Sequence, residues 1–193
     1  MDIALGFFLT QMKLDKVCQK YYDDNIKKIF DEGILGIVLC LNREPVACNF
    51  TKATLMEIDF WLNKAKPSVH DYSNKPNIDN DVTQFIINQL NLFGSQTVFV
   101  CTQKHEETHL PQSENYYGCL GCSDGQPSRV PSTLNVRFEC EASQAEVDCY
   151  KRAINYEQDR NKREKQKQWL IDYVNAIKEI YSNNRGFKCS IQI

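Results

Sequence analysis

CTQKHEETHLPQSENYYGCLGC, residues 101–122, carries His105, Glu106 and His109 in the spacing H-E-x-x-H, with Cys101 before them and Cys119 and Cys122 after. On a helix that spacing sets two imidazoles on one face, a turn apart, with a glutamate placed to activate water, as in zinc peptidases. In a loop the same residues form either a structural metal site or a polar crossing tied down by disulfides. How this stretch is read therefore decides the architecture of the second half of the chain.

The local signals favour a loop. The motif follows VFVC, a β-branched and aromatic run that reads as a strand. Pro111 comes two residues after His109 and disfavours helix at Leu110. The segment has no apolar face to bury, and no histidine follows it to complete a catalytic ligand set. On this reading residues 103–131 form a long inter-strand loop, of the kind that is usually functional. A structural zinc site would draw four ligands from Cys101, His105, His109, Cys119 and Cys122, with Gly118 and Gly121 permitting tight turns around the ion. A redox role for the Cys-x-x-Cys pair fits less well, because a turn-rich segment rather than a helix follows Cys122.

Outward from this stretch, the first half reads as helical. Leu14, Val17, Cys18, Tyr21, Tyr22, Ile29 and Phe30 recur at spacings of three and four, and Gly33 can stop that helix. Residues 34–41 are apolar on every side and fit a buried strand or a buried helix. Thr54 with Glu57 forms a capping box for a helix that Pro67 ends. Asp81 with Gln84 caps a helix carrying Val82, Phe85, Ile86, Leu90 and Phe93, closed by Gly94.

Beyond residue 95 the pattern changes. Residues 97–101, the alternating run Leu134, Val136, Phe138, Cys140, and the run Phe187, Cys189, Ile191, Ile193 predict about three antiparallel strands. Ser143 with Glu146 opens a helix that could reach Tyr181. Its middle, EQDRNKREKQKQ, is polar all round and either projects into solvent or hides a break. The expected fold is α+β: a helical part over residues 1–95, then a strand–loop–strand–long helix–strand part over 96–193, as two units or one continuous domain.

The chain has 193 residues, enough to bury a core without a metal or a staple, and its formal charge of −2 offers no footprint for nucleic acid. No apolar run approaches the roughly 20 residues that span a bilayer. Nine cysteines are many for a reducing compartment and suggest disulfides, with one thiol left over. Cys40 with Cys48, Cys140 with Cys149, and Cys119 with Cys122 or either with Cys101 are candidate partners, and Cys18 suits the leftover thiol. Export with the leader absent from this sequence, to a periplasmic or secreted location, is the expectation; a cytoplasmic location is the alternative. Asn49-Phe50-Thr51 is a formal glycosylation sequon.

Residues 33–67, GILGIVLCLNREPVACNFTKATLMEIDFWLNKAKP, resemble the Tai-type immunity proteins and their Rap relatives, small helical periplasmic proteins that neutralise cell-wall amidase effectors. The likeness spans residues 14–94. It lies in Gly33-x-x-Gly36 on an apolar helix, Cys48, Thr54, and a helix ending Trp61-Leu62 before Pro67. The resemblance implies an exported, disulfide-bonded protein that binds another protein; the lack of a convincing catalytic constellation adds the expectation of no catalysis and no cofactor. Tyr116 and Tyr117 are then the candidate partner-binding residues. The alternative is an intracellular zinc-binding interaction module built on residues 101–122, and a metallopeptidase rests on the H-E-x-x-H alone.

Overall fold

A computed structural model describes residues 2–63, 80–182 and 187–193. In chain order these hold α1 (Asp2–Glu32), β1 (Gly36–Leu41), β2 (Glu44–Asn49), α2 (Thr51–Asn63), α3 (Asp81–Phe93), α4 (Ser95–Asn115), α5 (Ser132–Tyr156) and α6 (Arg160–Ser182). The α+β class stands, with two strands among the described residues rather than about three, and the sheet lies in the half expected to be helical.

Gly33 ends α1 as its position suggests: it takes φ +71°, and the Ile34 N–H donates back to the Ile29 carbonyl at 2.9 Å. The apolar run that follows becomes β1 because Asn42 and Arg43 turn the chain back at once. Both take positive φ, 53° and 69°, the two-residue turn whose twist matches a hairpin. β2 pairs antiparallel to β1, with Gly36 opposite Asn49 and Leu41 opposite Glu44. Gly33-x-x-Gly36, placed on a helix by the immunity-protein resemblance, thus leads into a strand.

The helix starts shift by a few residues from those expected. α2 begins at Thr51, whose N–H donates to Asn49 Oδ1, and Thr54 and Glu57 lie buried inside it. Asn80, one residue before Asp81, caps α3 by accepting from the Thr83 N–H at 2.6 Å. Asn49 also donates to the Phe99 carbonyl at 2.9 Å, so the sequon asparagine is engaged in packing. The end of α2 near Pro67 lies outside the described residues.

Two of the three strands expected beyond residue 95 are helix. Residues 97–101 fall in α4, and residues 134–140 fall in α5, whose alternation arises because it is covered on more than one side. The third run, 187–193, makes no strand pairing. It docks on α5 through buried Cys189 and Ile191 and through Gln192, which exchanges two hydrogen bonds with Gln144. The long loop shrinks to residues 116–131, since α4 continues through Pro111. That proline lies on the exposed face, where the Glu107 carbonyl it leaves unbonded can be hydrated. The polar segment does hide a break: α5 stops at Tyr156, and Asp159 accepts from the Lys162 N–H to start α6.

One apolar cluster draws residues from both sides of residue 95, from Tyr21 to Ile191. Four disulfides brace it: Cys18–Cys48, Cys40–Cys119, Cys101–Cys149 and Cys140–Cys189. Cysteines close in sequence thus pair with distant partners rather than with each other, because Cys40 and Cys48 lie on neighbouring strands with their partners in the loop and in α1. Cys122, not Cys18, is the free thiol. Among the described residues no helix is long and apolar enough to cross a membrane.

Candidate metal centre

α4 and α5 run antiparallel, and the Cys101–Cys149 bridge staples them. One turn beyond Cys101 comes His105, and one turn further His109. Across the seam stand Glu139 and, two turns on, Glu146. His105 Nε2 and His109 Nε2 are 3.2 Å apart, and Glu139 Oε2 is 3.4 Å from the first and 3.6 Å from the second. Three ligand atoms from two helices therefore converge on one point.

Hydrogen bonds turn both rings the same way. His105 Nδ1–H donates to Glu146 Oε2 at 3.2 Å, and Glu146 is held in turn by the Tyr173 hydroxyl, which donates to the same oxygen at 2.7 Å. His109 Nδ1–H donates to Gln112 Oε1 at 2.8 Å; the amide of Gln112 donates its other end to Glu141 Oε2 at 2.9 Å, which fixes its orientation. With both Nδ1 atoms acting as donors, each imidazole in its neutral form would aim an Nε2 lone pair at the carboxylate of Glu139. Three electron-rich atoms at these separations repel unless a cation sits among them.

Zinc has the matching dimensions. Bonds of about 2.0–2.1 Å in a tetrahedron set ligand atoms about 3.3–3.4 Å apart. The three observed distances bracket that value, and an orienting acceptor behind each histidine is the usual outer shell of such a site. In metal-free protein a proton fills the role instead. Burial opposes charge on His105, but its hydrogen bonds to Glu139 and Glu146 outweigh that and raise its pKa to about 10. Burial likewise pushes Glu139 up, yet hydrogen bonds from His105 and His109 win and hold it at about 2.

Glu106 is buried beside this cluster, and burial raises its carboxyl to about 7 against the pull of His105 and His109. Its side chain lies against Gly36: a Cβ there would come within 2.7 Å of Glu106 Oε1, so β1 approaches this closely only because the position is glycine. Val38 and Cys40 point their outer backbone groups at residues 125–128, with Cys40 N–H to the Gln126 carbonyl at 2.9 Å and Ser128 N–H to the Val38 carbonyl at 2.9 Å. By the two-residue period of a strand, Gly36 presents its own N–H and C=O along the same edge, and among the described residues no loop backbone bonds to them. A cavity of about 750 Å³ opens here, lined by β1, the site and the facing ends of α3 and α6.

Of the five metal ligands expected from sequence, only His105 and His109 belong to this centre. Cys101 and Cys119 are in disulfides, and Cys122 is bonded to loop carbonyls. Glu139 and Glu146 were missed. The signal was their spacing, two turns apart on one helix face, and it was hidden by reading Glu139 on a strand and Glu146 in a capping box. The tyrosines differ from each other: Tyr116 packs on Phe138 with ring centroids 5.4 Å apart, whereas Tyr117 is 75% exposed. No protein-family model matches this chain, and no match was found among curated proteins or solved structures.

Proposed function

We propose that this protein is an exported zinc-dependent hydrolase that cleaves peptide bonds. The convergence of His105 Nε2, His109 Nε2 and Glu139 Oε2 at 3.2–3.6 Å carries the reading. A zinc ion held by these three would supply a Lewis acid and lower the pKa of water in its open fourth position. Glu106, next to the ligand pair and lining the cavity, is the group that would take a proton from such a water and return it to the leaving nitrogen, so that water and amide yield acid and amine. The uncovered edge at Gly36 favours an extended peptide as substrate, because such a chain can bond to strand backbone. The four disulfides support an oxidising location.

The test is zinc uptake beside turnover of unfolded polypeptide. Wild-type protein should bind one zinc per chain and hydrolyse the polypeptide. Glu106→Gln should keep the zinc and lose activity by about 10²–10⁴-fold, and Glu139→Ala should lose the zinc. The immunity-type binding reading would have to use Tyr117 and neighbouring Leu120, 75% and 71% exposed. Zinc-loaded protein inert towards every polypeptide tried would favour it.

A further inference from the structure

The cavity does not end at the metal centre. From His105 the chain of contacts runs through Glu146 to the Tyr173 hydroxyl, and the Tyr173 ring lies 6.0 Å from that of Phe85 on α3. There the lining changes character. Phe85 and Ile86 from α3 and Ile177 from α6 form an apolar wall beside the site. Val82 and Ile180 continue it outward, 38% and 61% exposed, so apolar surface faces water at the mouth.

Charge points the same way. Among the described residues no lysine or arginine lines the cavity, and the carboxylates of Glu32 and Asp81 stand among the lining residues where α1 ends and α3 begins. Among these described residues an entering carboxylate would find no lysine or arginine, so the metal is the cation it would meet. A large aliphatic or aromatic group would bury its surface against the wall.

Resting on the hydrolase reading, we propose that the site selects peptides bearing a large aliphatic or aromatic side chain beside the scissile bond and rejects those with a carboxylate there, with the α3–α6 wall as the selecting surface. Burying such a side chain favours it over glycine by roughly ten- to hundredfold. The occupant is thus a neutral or basic stretch of polypeptide, in keeping with the acidic rim.

The experiment measures binding of three N-acylated amino-acid hydroxamates, of phenylalanine, glycine and aspartate, to the zinc-loaded protein by calorimetry. The phenylalanine compound should bind at least about tenfold tighter than the glycine one, and the aspartate compound weakest. Ile180→Lys, at an exposed position, should narrow the gap between aspartate and glycine. Equal binding of all three compounds to zinc-loaded protein would overturn this inference and leave the hydrolase intact. A chain that takes up no zinc would overturn the hydrolase, and this inference with it.

Discussion

Where α6 meets α3 and α5, Trp169 is ringed by Phe85, Phe93, Tyr150 and Tyr173 at centroid distances of 5.0–5.2 Å. Where α4 meets α5, the facing groups are imidazoles, carboxylates and an amide. The first seam gains from every ring removed from water. The second must offset the desolvation of charged groups, and does so with hydrogen bonds, a proton or a metal, and the Cys101–Cys149 bridge. Aromatic packing is concentrated in one contact and the candidate metal ligands in the other, with α5 belonging to both.

The sharpest way to break this contrast is to damage each seam in turn. Trp169→Ala should lower unfolding free energy by about 3–5 kcal/mol, as for other buried aromatics, while each folded chain still binds one zinc. Replacing Cys101 and Cys149 together by alanine should cost about 2–4 kcal/mol for a loop of this size; unlike the tryptophan change, it should also weaken zinc binding. Denaturant unfolding and zinc titration on the same samples separate the two. Equal effects of both variants on zinc would erase the distinction between the seams.

Smaller changes sharpen it. Glu146→Gln keeps the shape but removes the charge behind His105, and zinc affinity should fall by about 10–100-fold with little change in secondary structure by circular dichroism. The pH dependence follows from the proton that zinc must displace. With its folded pKa raised to about 10, His105 holds that proton at neutral pH in metal-free protein. Apparent zinc affinity should therefore climb about tenfold per pH unit between 7 and 10 and then flatten. The sign is opposite for metal-free stability: the contribution of His105 is complete below about pH 6.5 and is lost as pH rises through 10. Isothermal titration across that range checks the first, and urea unfolding without metal checks the second.

The same contrast explains what was legible in the sequence. α3 could be read because Ile86, Leu90 and Phe93 repeat at helical spacing over an apolar contact, and Gly33 and Gly94 mark their stops by taking φ of +71° and +78°. α4 could not. Beyond Val98 and Cys101 its buried face carries Thr102, Glu106, Gln112 and Ser113, so from the motif onward the periodic signal of burial is written in polar residues. The absence of an apolar face around the H-E-x-x-H argued against a helix, when it marked the helix that holds the site. Glu139 was out of reach for another reason: a ligand supplied by a second helix has no fixed spacing from the motif. Local rules fail where function replaces packing as the reason for burial.

The Cys101–Cys149 bridge also sets an order of events. Its two cysteines lie 48 residues apart, so it cannot close until α5 has been synthesised and an oxidant has been met. Until then nothing covalent holds His105 and His109 opposite Glu139. On the proposed hydrolase reading this would be a form of self-restraint towards unfolded chains. The ribosome and its neighbours are full of such chains, and on the hydrolase reading proposed above the protein would pass them before this bridge closes.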